Sequence, residues 1–473
     1  MSESADVVIV SDLHLSAGYD PRTGTFDRNE DFFYDGAFAR FLTHLRERAE
    51  REHRHWRLVI LGDLFDFLQV ELPGQRDALD SGESITLAKL RRVARGHPRF
   101  FAALGEWVAA GFDLDVMPGN HDIEMIRPSC QQQLVQLVAD AGGGAGAAER
   151  IRFHAWIYYL PGLLYAEHGH QYDDVNSFRT QLWPFVDEAS EQIDAPLGSY
   201  FVAYLFNRIE SIDPFADNVK PATAYLTWAL QQHPVRAIAT LGYHLTLLLR
   251  VLRASHAQGR GSVERERRAY RERFFPACAA QVGLPADLLA QIDRGASIPA
   301  MTNRRRQLSA MLLRPLIRVL PVLGALVALQ QAVDRLGRRL RTPALIVAAV
   351  LGLVWRERQL FVGAGREIGE LHRAARRIDR LLRREGLGVP FYVFGHTHQP
   401  EQFPLGSGRT PARYLNSGTW TPVVLADFDL LATREQFTYV EITRGADGAP
   451  PIGRLMRWND DGGRGDVLPL LAR

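Results

Sequence analysis

The chain has 473 residues, 46% of them hydrophobic and 23% charged, a balance that belongs to folded globular proteins and excludes wholesale disorder. At about 150 residues per domain this length holds two or three domains. Net charge is +2, from 56 basic and 54 acidic residues, so a globally basic nucleic-acid-binding protein is not indicated, and Cys130 and Cys278 alone can build neither a disulfide scaffold nor a thiolate zinc cluster.

The first ten residues carry neither the basic stretch nor the apolar run of a signal peptide, so a cytoplasmic protein is expected. Short apolar runs then recur at residues 7–10, 58–61, 114–117 and 163–166. Each is stopped by a Gly or a polar cluster, which predicts buried strands. Between them, 38–52 and 98–110 read as helices. Strand alternating with helix predicts an α/β layered domain, in which ligands collect beyond the carboxyl ends of strands. The Gly/Ala stretch 141–148 reads as a flexible loop.

Composition changes after about residue 172. Residues 198–210, 222–232, 235–256, 263–275 and 285–292 read as helices. Two apolar helices, 311–330 and 343–362, and an arginine-rich amphipathic one, 366–384, follow. Strand character returns at 391–394, 414–415 and 437–443, with surface turns at 445–451 and 460–465. The expected organisation is an α/β core in two parts, 1–172 and 388–473, split by an all-α insertion over 173–387.

Five polar clusters sit at the ends of apolar runs. They are Asp12-Leu13-His14, Gly62-Asp63-Leu64-Phe65-Asp66, Gly119-Asn120-His121-Asp122, His168-Gly169-His170 and Gly395-His396-Thr397-His398. Singly, each also reads as a capping Asp, an Asx-turn or a turn glycine. Together, and in this order, they supply hard oxygen and imidazole donors that suit Mn²⁺, Fe or Zn²⁺. Two cations about 3.5–4 Å apart, with a carboxylate shared between them, would leave such a site about one charge positive. That charge favours a phosphate anion and a hydroxide nucleophile.

The five clusters resemble the calcineurin-like metallophosphoesterase superfamily, over roughly residues 5–172 and 388–445. The resemblance implies a four-layer α/β/β/α sandwich with metals at the sheet ends, here interrupted by the all-α insertion. It implies a binuclear metal-dependent phosphoesterase with a metal-bridging hydroxide as nucleophile. Asp12, His14 and His398 would hold one ion, and Asn120, His168 and His396 the other, with Asp63 bridging the two. Both ions are expected to be Mn²⁺, with Fe or Zn²⁺ as alternatives. His121 would act on the leaving oxygen, and Asp66 would orient it and keep it cationic. His170 reads as an outer or solvent-facing histidine rather than a ligand, and Asn416 as either a brace for the site or a turn residue.

His168-Gly169-His170 and the run 414–420 look nearest to bacterial UDP-2,3-diacylglucosamine hydrolases, which cleave a pyrophosphate in a lipid-linked nucleotide sugar. Those enzymes carry a shorter helical insertion at the same place, and Arg where this chain has His121. The expected partner is therefore a phosphorylated small molecule or a lipid-linked substrate. A superfamily nuclease is an alternative, as is a silent binding scaffold, although scaffolds lose ligand histidines that are all present here. In the insertion, the apolar runs 316–329 and 344–355 are short of the roughly 20 residues that span a bilayer. Trp355, Arg356 and Arg358 would suit a peripheral membrane contact. A packed helical lid that recognises substrate is the simpler expectation. Nucleic acid is disfavoured, because no aromatics interleave with the basic residues.

Overall fold

A computed structural model describes residues 5–75, 77–187, 190–207, 250–251, 263–302, 304–309, 369–407, 411–427, 430–434, 436–445 and 449–468. Its architecture is mixed α/β, organised around a large mixed sheet. The first part runs β1 (Asp6–Val10), the small hairpin β2 (Tyr19–Asp20) and β3 (Thr25–Phe26), α1 (Asp35–Glu52), β4 (Trp56–Leu61), α2 (Glu83–Gly96), α3 (Pro98–Ala109), β5 (Asp113–Met117), α4 (Pro128–Val138), β6 (Ile151–Phe153), β7 (Tyr158–Leu160) and β8 (Leu164–Ala166). After the helical stretch come β9 (Phe391–Phe394), β10 (Glu401–Pro404), β11 (Arg413–Asn416), β12 (Val423–Asp427), β13 (Leu430–Arg434), β14 (Thr438–Thr443), β15 (Ile452–Asn459) and β16 (Arg464–Val467).

Seven strands form one sheet, in the order β16-β15-β14-β1-β4-β5-β6. The ladder from β1 through β4 and β5 to β6 is parallel, and β14, β15 and β16 add to it antiparallel. Five strands form a second sheet, β10-β11-β9-β8-β7, whose central pairs β11–β9 and β9–β8 are parallel. Strand alternation assigns the two faces of β1 to different clusters. Val8 and Val10 pack with Leu58 and Ile60 against α1, α3 and α4, including Phe38, Phe41, Phe100, Leu104 and Leu134. Val7 and Ile9 face the other way and pack with Val59 and Leu61 against Leu164, Ala166, Phe391 and Val393 of the second sheet. The outer face of that sheet, through Tyr165, Tyr392 and Tyr414, packs on the helices Val263–Val282, Ala286–Asp293 and 369–384.

Local chemistry sets the helix bounds. In α1, Phe38, Phe41, Leu42, Leu45 and Ala49 lie on one buried stripe, and His53 closes the helix in the left-handed region. Pro98 opens α3, where its missing N–H costs nothing. Of residues 141–148, whose Gly/Ala composition suggests a loop, only 144–146 form a turn outside helical structure. The stretch continues α4 through a π-turn, Ala139–Gly143, into the short helix Ala147–Arg150. The small side chains let this turn lie against α3, where a Cβ on Gly105 would come 2.7 Å from the Ala141 carbonyl oxygen.

The predicted helices 222–232, 311–330 and 343–362, and the greater part of 235–256, lie outside the described residues. Among the described residues, no helix is long and apolar enough to cross a membrane.

Candidate metal centre

In a parallel ladder all carboxyl ends lie at one edge, and here those ends carry the polar clusters. Pairing continues past the strand ends. Asp12 N donates to Gly62 O, Leu13 N and His14 N both donate to Asp63 O, and Leu15 N donates to Leu64 O. The loop after β1 is thereby fastened to the loop after β4. The second sheet does the same, with Gly395 N donating to His168 O and Ser417 N to Phe394 O. His396 N then donates 3.0 Å to Asp12 Oδ2, which ties the two sheet ends together. Ser11 Oγ donates to the same carboxylate oxygen and also contacts Ser417 Oγ at 2.7 Å.

This convergence requires unusual backbone. Asp12, His14, Asp63, His396 and His398 all have φ between 50° and 69°, in the left-handed region that L-residues avoid. Five such residues in one pocket point to function rather than accident, since each costs on the order of 1–3 kcal/mol. Glycines beside them leave the room that the cage needs. A Cβ on Gly62 would meet His168 Nδ1 at 2.5 Å, one on Gly119 would meet Asp63 N at 2.6 Å, and one on Gly395 would meet Asp12 Oδ2 at 2.7 Å.

The donors gather in groups. Asp12, His14 and His398 offer ligand atoms within 4.8 Å of one another, and so do Asp63, His168 and His396. Asp63 joins the two groups, because its Oδ2 lies 3.1 Å from His168 Nε2 and 3.7 Å from His14 Nε2. A third group, His14, Asp66 and His121, is a hydrogen-bonded relay rather than a cage. Asp66 Oδ2 accepts from His121 Nδ1 at 2.7 Å and from His14 Nδ1 at 3.3 Å. Asp66 Oδ1 meanwhile accepts from the backbone of Leu68 and Gln69.

The protonation that these bonds impose is informative. His168 Nδ1 lies 2.8 Å from Leu61 O, which can only accept, and His14 Nδ1 is bound to Asp66, so both rings turn Nε2 toward the other donors. There, His14 Nε2 faces His398 Nε2 at 3.1 Å, and His398 Nε2 faces Asp12 Oδ1 at 3.3 Å. At such distances each of these contacts needs a proton or a metal ion between its two atoms. Among the described residues, Asp12 Oδ1, Asn120 Oδ1 and His168 Nε2 are also buried without a hydrogen bond of good geometry. Among the described residues, the ion pairs of Asp12, Asp63, Asp66 and Asp173 are all with histidine and none with arginine or lysine. Hard oxygen and imidazole donors paired in this way fit a divalent metal.

The charges respond accordingly. Burial opposes ionisation of Asp12, but His398 and His168 outweigh it and hold the carboxyl at about 2. Burial opposes protonation of His121, yet Asp66 and Asp63 keep it cationic up to about 10. Burial and the neighbouring Asp63 push Asp122 up to about 7. Asp122 accepts from the backbone N–H groups of Gly119, Leu64 and Phe65, and so locks two ligand loops together.

Six of the seven expected ligands, Asp12, His14, Asp63, His168, His396 and His398, fall in these two groups, with His121 and Asp66 beside them, and Asn120 follows the end of β5 with its side chain buried. His170 is not solvent-facing. It is fully buried in the turn His170–Tyr172, with Nε2 on Gln181 Oε1 at 2.8 Å, because that turn directs its ring inward against Phe178. Asn416 is a brace: its Nδ2 donates to Gly395 O and its Oδ1 accepts from Gly418 N. Two residues given no role from sequence also belong here. Asp122 was visible inside its cluster. Asp173, whose Oδ2 lies 3.5 Å from His396 Nε2, carried no local signal beyond following the His168–His170 cluster.

The chain matches no protein-family model and no curated protein.

Proposed function

We propose that this chain is a binuclear metal-dependent phosphoesterase of the calcineurin-like type, acting on a phosphoester or pyrophosphate. The observation that carries the reading is Asp63, whose single oxygen Oδ2 faces His168 in one donor group and His14 in the other. The three hydrophobic clusters, in the order helices, sheet, sheet, helices, support a four-layer sandwich as its frame. Two divalent ions, Mn²⁺ in the first instance, would supply Lewis-acid polarisation of a phosphoryl oxygen and lower the pKa of a water.

The remaining chemistry is that of the side chains. His121 has Nδ1 committed to Asp66, so Nε2 is the atom that can present a proton to a departing oxygen. Asp66 holds the ring cationic and fixes its direction, and at the same time fixes the tautomer of His14. Asp12 and Asp63 are kept ionised as donors by the surrounding imidazoles. Substrate would be a phosphorylated small molecule or an amphipathic, nucleotide-linked lipid, met in the cytoplasm or at the cytoplasmic face of a membrane.

Elemental analysis of the purified chain, paired with a panel of p-nitrophenyl phosphates, cyclic nucleotides, UDP-diacylglucosamine and oligonucleotides, tests this. Two ions per chain and metal-dependent turnover are expected, with Asp63→Ala losing both. Cleavage of oligonucleotides alone would make the protein a nuclease, and metal-free protein inert on the whole panel would make it a scaffold.

A further inference from the structure

We propose that Asp173 is a positioning residue for His396, and that through it occupancy of the Asp63–His168–His396 group depends on how the helical stretch docks. The inference rests on the metal-centre reading above.

Asp173 Oδ2 stands 3.5 Å from His396 Nε2, and both side chains are largely buried, at 20% and 10% exposure. A carboxylate at one imidazole nitrogen fixes the ring and its tautomer and raises the basicity of the other nitrogen. Asp173 is itself held rigidly. Oδ1 accepts from Val175 N at 3.0 Å, and Oδ2 accepts from Asn176 Nδ2 at 2.6 Å. These bonds orient the carboxylate toward its own turn and His396. Among the described residues, no converging group of three donors includes it. That separates an orienting role from direct ligation.

The turn carrying Asp173 is stitched to two distant stretches of the helical region. Gly198 N donates to Val175 O, and Ala300 N donates to Asp174 O. Ser297 donates twice, from N to Gln171 O and from Oγ to Tyr172 O. The packing is close as well, since a Cβ on Gly198 would overlap Asn176 Oδ1. A shift of residues 197–198 or 297–300 therefore moves the carboxylate that faces His396. His14 has its own carboxylate, Asp66, in the core, so the orientation of that ligand does not pass through the turn at Asp173.

The test uses the full chain, stripped of metal by a chelator and titrated with Mn²⁺, with binding followed by calorimetry and by electron paramagnetic resonance. Wild type should bind two ions and show the signal of a spin-coupled pair. Asp173→Ala should weaken one ion about 10–100-fold, the scale of a lost carboxylate–histidine partner, and leave the other unchanged. At intermediate Mn²⁺ its spectrum should be that of an isolated ion. Asp173→Asn, which keeps an acceptor oxygen, should fall between the two. Gly198→Ala should weaken the same ion.

Wild-type titration by Asp173→Ala would overturn the proposal. So would equal loss of both ions with a lowered melting point, which marks a merely structural turn. An unchanged Gly198→Ala would remove the dependence on docking. A wild-type chain that binds fewer than two ions would instead defeat the metal-centre reading itself.

Discussion

Gly119→Ala is a one-carbon test of the cage. The new Cβ would lie 2.6 Å from Asp63 N and closer still to Asp63 Oδ1. Ordinary contact is about 3.5 Å, so either the Gly119 loop or Asp63 must move by about 1 Å. Asp63 cannot yield cheaply. Its backbone carbonyl accepts from Leu13 and His14, its Oδ1 accepts from His121 N at 2.9 Å, and its side chain is buried. Overpacking of this kind costs about 1–3 kcal/mol of stability. A displacement near 1 Å at a reacting centre costs about 10²-fold in rate. The assay is turnover and Mn²⁺ content of Gly119→Ala beside Gly146→Ala, whose Cβ would meet nothing within 4 Å. Loss of metal or at least a 10²-fold slower reaction is expected for the first, and wild-type behaviour for the second. If Gly119→Ala bound metal and turned over as wild type does, Asp63 would not sit in a cage this tight, and the bridging geometry would be refuted.

Two further perturbations address charge. Asp66→Asn keeps an oxygen for the Leu68 and Gln69 N–H groups but loses the anion that holds His121 protonated. Turnover should fall about 10²–10⁴-fold, and the alkaline limb of the pH–rate profile should move to lower pH; superimposable profiles would refute the relay. Away from the centre, fully buried His97 lies between Asp35 at 2.8 Å and Glu30 at 3.2 Å; burial opposes its charge, yet these carboxylates raise it to about 9. A folded value above the ordinary 6.5 contributes stability that is whole below pH 6.5 and is lost as pH rises through about 9, at most about 3 kcal/mol. Denaturant melts from pH 6 to 10 should show that loss in wild type and not in His97→Gln; parallel curves would refute it.

Much of the centre was legible because its chemistry is local to strand ends. Asp12, Asp63, Asn120, His168 and His396 each follow an apolar run that could only be buried strand, and a parallel ladder brings such ends to one edge. What escaped reading depends on contacts that no local pattern encodes. Helix α2 was hidden because its buried face includes Thr86 and Lys89, which break the apolar stripe. Lys89 is buried only because its Nζ donates 2.7 Å to Phe67 O. Helix α4 buries Cys130, Leu134 and Val138 among three consecutive glutamines, too sparse a stripe to stand out. Asp173 acquires meaning from His396, far along the chain, and so was placed merely at the start of an insertion.

The ligand set is divided between the two sheets. Asp12, His14, Asp63 and Asn120 follow strands of the large sheet, and His168, His396 and His398 follow strands of the smaller one. Neither donor group can form on one sheet alone, because Asp12 and His14 need His398, and Asp63 needs His168 and His396. The cage is therefore only as well defined as the packing of Val7, Ile9, Val59 and Leu61 on Leu164, Ala166 and Val393 that sets the spacing of the sheets. Dense apolar contact of this kind is rigid, and it fixes distances without contributing any polar atom that could compete for the ion. The left-handed backbone at five of the donors is the local cost of turning side chains inward from both edges. It is tolerated because each loop is hydrogen-bonded to its neighbour. On the proposed reading, a metal would meet donors already in place, and its binding free energy would go into holding the ion rather than into ordering the chain.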